Sequence, residues 1–359
     1  MKSFCLTGRK FLASLVILFL VITSCTNQQL PETPWDQKLS SISWQQSLND
    51  TGLVTVGAWR PLADDRYMEV IFNERAKVYR IAREDKDFAI YNRYFEASLR
   101  NKTPVKIIID IRQGILLKVT EPSAEELKLF LEFRKEMLIG DSSRRINIAR
   151  IDTSTFNIVD EYLKWPVFKI CQNIVPSYTK AKEIFDYCAA QSCHIPGPKQ
   201  VTPCIPFQYV DDGCYARAHK MRWIIEKHFG YCSEKVFSFA TVDNHKLNVK
   251  ADKWGGCCVE WWYHVTPLIR VKTTRNKFVK TLAYVIDPGM FDKPVLLSTW
   301  LAAQKTTGCN PHSMVDSYSI QSSSAYTPSY PNGTPYATDP NYTQTNSMLI
   351  NYASATTCN

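Results

Sequence analysis

The placement of the cysteines constrains the fold of this chain more than any other feature of its sequence. Of the 12 cysteines in 359 residues, none lies between Cys25 and Cys171, whereas ten lie from Cys171 onward. Cysteines that are gathered in one part of an exported chain brace that part with disulfides. The length and the 45% hydrophobic content allow two globular parts. We place the boundary between Trp165 and Ser177, where the cysteines become dense.

The N-terminus predicts export. Three basic residues precede an apolar run from Phe11 to Ile22, which is followed by Thr23-Ser24-Cys25. The run is too short to span a bilayer, which requires about 20 residues. The small residues before Cys25 are typical of a bacterial lipoprotein signal, in which Cys25 is lipidated, and ordinary signal cleavage nearby is the alternative. We therefore expect an exported protein, either an outer-membrane or cell-surface lipoprotein or a secreted one, that meets a membrane only through an N-terminal lipid.

The cysteine count predicts a disulfide framework. Nine cysteines remain if Cys5 and Cys25 leave with the signal and Cys214 is set aside for its local context. The eight most C-terminal of them form an even set, Cys171 is left over, and the connectivity cannot be read from sequence. A zinc site is disfavoured because no C-x-x-C pair faces a second pair of ligands. The eight disulfide candidates are Cys188, Cys193, Cys204, Cys232, Cys257, Cys258, Cys309 and Cys358.

Composition divides the chain into four segments. A polar tether that contains Gln and Pro follows the signal, and a cysteine-free module follows the tether. That module carries no compact set of catalytic side chains, so it is either a pro-domain that blocks the C-terminal part or an independent α/β domain. The predicted segments are a lipoprotein-type signal peptide at 1–25, a tether at 26–43, the cysteine-free module at 44–165 and the cysteine-rich module at 166–359.

Hydrophobic periodicity predicts an α+β fold. Ser123 and Glu126 form a capping-box motif at the start of one helix. Gly230 is typical of the residue that ends another. The predicted helices are 85–99, 123–135, 178–190 and 215–229, and the predicted strands are 68–81, 105–111, 115–119, 236–239, 259–272 and 278–286.

The charges do not indicate a nucleic-acid partner. The formal net charge is +9, but the Lys and Arg residues are dispersed along the chain, as on a solvated surface. Residues 313–359 contain no Lys or Arg. Because they include Cys358 and the apolar run Met348–Ile350, we expect an ordered, loop-rich flank that is fastened to the body of the protein.

Cys214 stands at the predicted first turn of a helix. A thiol at the positive end of a helix dipole has a lowered pKa, and the unpaired N–H groups there can receive an oxyanion. We therefore interpret Cys214 as a nucleophile, with half of a disulfide as the alternative. His219 lies five residues further on, roughly 140° around the helix, so it is predicted to point elsewhere.

A thiol nucleophile requires a base and a third group that orients the base. His264 lies on a predicted strand among aromatic residues, and Asp287 ends the returning strand. A turn at Arg275-Asn276 would place His264 directly opposite Asp287, with Cβ atoms about 5 Å apart. A satisfied core histidine and an Asp-Pro-Gly turn are the alternative interpretations when each residue is considered alone.

Three segments resemble a known family: residues 205–222, Cys257-Cys258 with Trp262-Tyr263-His264-Val265, and Ile286-Asp287-Pro288. They resemble the bacterial protein-glutaminases, secreted enzymes that deamidate glutamine side chains in proteins. The resemblance implies an α+β core akin to transglutaminases and papain-like proteases, in which a helix bearing Cys packs on an antiparallel sheet bearing His and Asp. It also implies an inhibitory pro-region at 44–165 before a catalytic domain at 166–359. By position, Cys214 is implied to be the nucleophile, His264 the acid/base and Asp287 its orienter.

The implied reaction converts a protein-bound glutamine to glutamate through a thioester on Cys214 and requires no metal or organic cofactor. Gln208 is a candidate second oxyanion donor, because papain-like proteases place a glutamine similarly, and an exposed loop residue is the alternative. Trp262 is a weak candidate for the substrate slot, since strand alternation leads us to expect that two of Trp261, Trp262 and Tyr263 only pack. A transglutaminase or cysteine protease with the same triad, and a non-catalytic, disulfide-stapled surface-binding lipoprotein, remain alternative functions.

Overall fold

The computed structural model describes residues 49–62, 64–111, 113–142, 171–275, 278–333 and 335–358. All of them belong to one compact unit. The signal peptide with its proposed lipidation at Cys25 and the tether lie outside the described residues.

The N-terminal module is built from two small antiparallel sheets and two helices. One sheet has the strand order β1-β5-β6 and the other β2-β3-β4, and helix α1 packs against β2, β5 and β6. Its side chains form a core of their own around Phe72, Phe95 and Ile107. The elements are β1 Asn49–Val54, β2 Val56–Pro61, β3 Tyr67–Phe72, β4 Val78–Ala82, α1 Phe88–Asn101, β5 Val105–Asp110, β6 Ile115–Thr120 and α2 Ala124–Ser142.

The capping box is confirmed at the start of α2. The Glu126 N–H donates to Ser123 Oγ at 3.2 Å, and the Ser123 N–H donates to a Glu126 carboxylate oxygen at 2.9 Å. The single strand predicted at 68–81 is wrong, because it is two strands separated by residues 73–77. Asn73 and Glu74 bond to Thr55, whereas residues 75–77 contact the C-terminal module. Sequence periodicity does not report such contacts.

The C-terminal module is built on a five-stranded antiparallel sheet with the order β12-β11-β10-β7-β13. Helix α4 packs on β10, and helix α6 packs on α4. The elements are α3 Tyr178–Ala190, α4 Cys214–Lys227, β7 Glu234–Phe239, β8 Leu247–Lys250, β9 Cys258–Trp261, β10 Tyr263–Arg275, β11 Phe278–Val285, β12 Val295–Leu296, α5 Leu297–Ala303, β13 Ser317–Ser322 and α6 Thr343–Asn351.

The β10–β11 hairpin corrects the predicted register. Arg275 lies opposite Phe278, and the pairing continues to Leu268 opposite Val285. The connection is therefore one residue later than expected, and His264 is not directly opposite Asp287. The observed partner of each β10 residue lies two residues further along β11 than predicted. Because side chains alternate with a period of two, His264 and Asp287 still share one face of the sheet.

The disulfides correct two assignments. Cys171 bonds to Cys232, so it is not left over, and Cys188 is a free, buried thiol on α3, so it is not a disulfide partner. Cys188 packs in the main hydrophobic core, where a sulfhydryl behaves as a small apolar group. Cys214 is free, as expected. The other three bridges join predicted candidates: Cys193–Cys204, Cys257–Cys358 and Cys258–Cys309.

The C-terminal flank is ordered and fastened to the module, as predicted. Met348 and Leu349 are buried on α6, and Cys358 is bonded to Cys257. Within the part of the chain that is described, no helix is both long and apolar enough to cross a membrane.

Candidate active site

Cys214 is the first residue of α4 and is only 2% exposed. The preceding Gly213 has φ 73°, and a Cβ built on it would come within 2.8 Å of the Tyr352 ring. A side chain at this position would be strained in its backbone and would also clash, so glycine is the residue that fits. This tight turn brings the chain abruptly into the helix and buries the thiol at its N-terminus.

Burial raises the pKa of the Cys214 thiol to about 12, although nearby Arg217 acts to lower it. The expectation of a lowered pKa is therefore wrong for this state of the chain. The free energy needed to remove a thiolate from water exceeds the stabilisation that the helix N-terminus and the neighbouring guanidinium give to it. With the site covered as it is here, Cys214 is a neutral thiol at neutral pH.

His264 is held by a carboxylate on one side of its ring. Its Nε2 atom lies 2.9 Å from Asp287 Oδ2, and its Nδ1 atom is buried without a hydrogen-bond partner. The imidazole is stacked between two indoles, with ring centroids 4.5 Å from Trp261 and 5.5 Å from Trp300. These contacts fix the plane of the ring and leave Nδ1 as the nitrogen that can exchange a proton.

Asp287 is buried and takes part in two hydrogen bonds. The same Oδ2 atom that meets His264 accepts a 2.9 Å hydrogen bond from Trp300 Nε1. Burial acts to raise the pKa of Asp287, but the charge of His264 and the two hydrogen bonds outweigh it, and the pKa is lowered. Asp287 is thus an ionised acceptor that can hold one tautomer of the imidazole.

The backbone of β10 connects the thiol to the histidine. The backbone N–H of Val265, the residue after His264, acts to lower the pKa of the Cys214 thiol. No hydrogen bond joins Cys214 to the Nδ1 atom of His264 in this state. The start of α4 and the start of β10 therefore meet at the sulfur.

The two weaker candidates are both buried. Gln208 is 3% exposed, not exposed on a loop, and its Nε2 donates to the Ala353 carbonyl at 2.9 Å, while its Oε1 has no partner. Its role as an oxyanion donor stays a prediction. Trp262 is fully buried, as are Trp261 and Tyr263. The Trp262 indole N–H donates to the carbonyls of Phe72 and Arg75, so it contacts the N-terminal module.

His219 points away from Cys214, as its spacing predicts. Its Nδ1 atom lies 2.7 Å from Nζ of the fully buried Lys235, and its Nε2 atom lies 3.0 Å from the Asp339 carbonyl oxygen. This cluster links α4 and β7 to the C-terminal flank. Among the described residues, no group of three or more His, Cys, Asp or Glu side chains is arranged to hold a metal ion.

The segment between β3 and β4 lies across the site. The Ala76 N–H donates to Asp212 Oδ1 at 3.0 Å, and the Ala76 carbonyl accepts from the Trp262 N–H at 3.1 Å. Asp212 precedes Cys214 by two residues, and Trp262 precedes His264 by two. Ala76 of the N-terminal module is therefore bonded to both of the segments that immediately precede the candidate nucleophile and the candidate base. The sequence gives no signal that would assign residues 73–77 to the site, because the hydrophobic pattern around them predicts one continuous strand at 68–81.

A buried ionic cluster fastens this segment. Arg75 is 6% exposed, and its guanidinium donates to Asp50 Oδ2 at 2.8 Å and lies 3.6 Å from Asp212 Oδ2. It also donates to the hydroxyl of Tyr215, the residue after Cys214. The hydroxyl of Tyr352 on the C-terminal flank donates to the same two carboxylates. Both modules and the flank thus meet beside the thiol.

Comparisons with known proteins agree on one family. The family model described as glutaminase matches residues 181–304. The chain is similar to a crystal structure of pro-protein-glutaminase, with 26% identity, 87% of this chain and 95% of that chain covered, and a TM-score of 0.60. A mutant of pro-protein-glutaminase also matches at 26% identity, with 86% and 94% covered and a TM-score of 0.60. The solution structure of protein-glutaminase from Chryseobacterium proteolyticum matches at 33% identity, with 52% of this chain and 92% of that chain covered and a TM-score of 0.44. No curated protein matches the chain significantly.

Proposed function

The chain belongs to the protein-glutaminase family, and from this premise we propose that it deamidates glutamine side chains of proteins and peptides. The reaction consumes water, releases ammonia and leaves glutamate. The observation that carries the proposal is the arrangement of His264, whose Nε2 meets Asp287 and whose buried Nδ1 is free. The next residue, Val265, has a backbone N–H that acts to lower the pKa of the Cys214 thiol.

Cys214 is the nucleophile in this proposal. His264 Nδ1 takes the thiol proton as the sulfur attacks the side-chain amide carbon, and the amide oxygen becomes an oxyanion. The N-terminus of α4 supplies the Cys214 N–H as one donor to that oxyanion, and Gln208 is the candidate for the second. The imidazolium then protonates the leaving nitrogen, so ammonia departs and a thioester remains.

Water completes the cycle. His264 removes a proton from water, which attacks the thioester carbon, and the returning proton restores the Cys214 thiol. Asp287 keeps Nε2–H as the fixed donor throughout, so that Nδ1 is the nitrogen that exchanges protons. Atoms balance without a metal or an organic cofactor. The corresponding fold is a transglutaminase-like or papain-like core, with α4 bearing Cys214 packed on the sheet that bears His264.

The N-terminal module at 44–165 is the inhibitory pro-domain of this enzyme in our proposal. Ala76 occupies the space between Asp212 and Trp262, and Arg75 bonds to Tyr215 beside the thiol. A glutamine side chain cannot reach a sulfur that is 2% exposed beneath this segment. Release of the module by proteolysis would open the site and return the thiol to a more polar environment, which lowers its pKa.

Export is part of the same proposal. The four disulfides are typical of a chain that folds in an oxidising compartment. We propose that the protein acts outside the cytoplasm, either released or held to the membrane by a lipid on Cys25.

The test compares the full-length chain with the chain cleaved between Tyr162 and Cys171, using casein as the substrate. A cut after Cys171 would leave the N-terminal module joined to the C-terminal module by the Cys171–Cys232 bridge. We expect cleavage to raise ammonia release together with the mass change of glutamine to glutamate, and Cys214→Ala to abolish both. Cross-linked casein would indicate a transglutaminase, and new peptide termini would indicate a protease. A folded, cleaved chain that yields none of these products would favour the non-catalytic binding lipoprotein.

A further inference from the structure

Among the described residues, four of the five ion pairs between the two modules share one polarity. In these four, the N-terminal module supplies the cation and the C-terminal module supplies the carboxylate. Glu69 with Lys246 has the opposite polarity. The four pairs that share the first arrangement are Arg60 with Asp243, Arg75 with Asp212, Lys77 with Asp211 and Arg80 with Glu260.

Three of these cations belong to one short stretch, residues 75–80, whose backbone bonds to the C-terminal module at Ala76 and Lys77. The backbone of Ala76 is bonded on both sides, to Asp212 and to Trp262, and Lys77 is paired with Trp261 in an antiparallel bridge. Arg75 and Lys77 flank this residue directly. The C-terminal module therefore already receives a basic peptide backbone and its charged side chains at the candidate site.

The receiving carboxylates are tied to the candidate catalytic groups. The indole N–H of Trp261 donates to the carbonyl of Asp211 at 3.0 Å, and the Trp261 ring stacks on His264. Asp212 accepts from Tyr352 and lies two residues before Cys214. Over residues 171–359, Lys and Arg outnumber Asp and Glu, so these carboxylates do not follow from the overall charge of the module.

We propose that the opened enzyme prefers glutamines that are flanked by Lys or Arg, with Asp211, Asp212 and Glu260 receiving the cationic side chains. This inference rests on the proposed deamidation and names its substrate class. Asp212 and Asp211 take the residues adjacent to the glutamine, and Glu260, at the far end of the bridged stretch, takes a more distant one. Opposite charges at such an edge raise the association rate and discriminate against acidic partners.

The test uses the full-length chain, folded and then cleaved between Tyr162 and Cys171, and three peptides of equal length with a single glutamine. The peptides carry Lys and Arg, only Ala, or only Glu at the flanking positions. We expect kcat/KM for ammonia release to fall from the basic to the acidic peptide by about tenfold at low salt, the effect of one to two weak ion pairs. The ratio should shrink as salt is added, because exposed charges are screened.

Two variants locate the preference. Asp211→Asn should reduce the ratio between the basic and neutral peptides by about threefold, which corresponds to one exposed ion pair. Asp186→Asn is the matched control, because Asp186 is an exposed residue on α3 that pairs with Lys182 on the same helix. It should leave all three rates unchanged.

A binding measurement separates this inference from the proposed reaction. Fluorescently labelled versions of the three peptides are titrated with the cleaved Cys214→Ala variant. Ammonia release at equal kcat/KM from all three peptides would overturn the inference and leave the deamidase standing. Preferential binding of the basic peptide without ammonia release from the parent enzyme would support the inference and overturn the proposed deamidation. Equal binding of all three with no ammonia release would overturn both.

Discussion

Nε2 of His264 lies 2.9 Å from Oδ2 of Asp287, although the hairpin that carries them does not place the two residues opposite each other. The carboxylate reaches the imidazole diagonally along one face of the sheet, from the end of β11 to the start of β10. Trp300 on α5 completes the arrangement by donating to the same oxygen. The contact therefore depends on a helix that follows the hairpin as well as on the hairpin itself.

Asp287→Asn should lower kcat on a glutamine peptide by about 10³- to 10⁴-fold, because an amide can favour the wrong imidazole tautomer. Trp300→Phe is the graded comparison, since it removes one of two hydrogen bonds to the carboxylate and keeps the stacking on His264. We expect it to lower kcat by about tenfold, the effect of one hydrogen bond to a charged group. Steady-state ammonia release by the cleaved enzyme measures both, and an unchanged rate in Asp287→Asn would remove Asp287 from the mechanism.

Asp287 also predicts a response to acid. Its pKa is lowered in the folded chain, so its charge stabilises the fold above the unfolded pKa of about 3.9, and this contribution is lost as the pH falls through the folded value. The free energy of unfolding of Asp287→Asn should consequently depend less on pH in that acidic range. Urea titrations of the two full-length chains at a series of acidic pH values check this, with Asp186→Asn as the exposed control.

The Cys214 thiol should be inert in the full-length chain and reactive after cleavage. Burial raises its pKa to about 12, and a thiol reagent attacks only the thiolate. Alkylation at neutral pH, followed by mass mapping, should label Cys214 only in the cleaved chain. Cys188→Ala provides the matched control, because Cys188 is also free and buried but lies on α3, and this variant should keep both the labelling pattern and the activity. Rapid labelling of Cys214 in the intact chain would contradict the covered site.

Lys235 predicts a second pH dependence of the free energy of unfolding, at neutral to alkaline pH. Burial lowers its pKa well below 10.5, and the charge of Arg222 adds to this, whereas Asp339 and Glu226 oppose it. Up to the unfolded pKa of about 10.4, the unfolded chain binds more protons than the folded one, so stability rises with pH. Lys235→Met should flatten this rise. Urea unfolding at about pH 7 and about pH 9 measures it, with the exposed Lys182→Met as control, and an equal rise in both variants would assign the effect to other groups.

The Cys257–Cys358 bridge should stabilise the protein more than Cys193–Cys204. The first closes a sequence separation of 101 residues and the second a separation of 11. The chain-entropy account predicts about 4.7 kcal/mol for a loop of 100 residues and about 3 kcal/mol for one of 15. Paired Cys→Ala variants compared by urea unfolding test the order. The Cys257/Cys358 variant should also lose activity after cleavage, because Thr357 bonds to Val210 and Gln208 in the loop before Cys214.

The sequence by itself determined the parts of this protein that local chemistry specifies. Periodicity predicted the helix Tyr178–Ala190, and it predicted a helix at 215–229 that the structure has at Cys214–Lys227, so it ends before Gly230. The capping box at Ser123 formed because both partners lie within one turn. The spacing of His219 correctly directed it away from the thiol.

Only the tertiary structure decided what depends on residues far apart in the chain. The observed register of β10 and β11 differs by two residues from the predicted one, although parity kept His264 and Asp287 on one face. The pairing of Cys171 with Cys232 and the free Cys188 followed from which helices and strands pack together. The raised pKa of Cys214 has the same origin, because burial in the main hydrophobic core outweighs the local influence of the helix N-terminus.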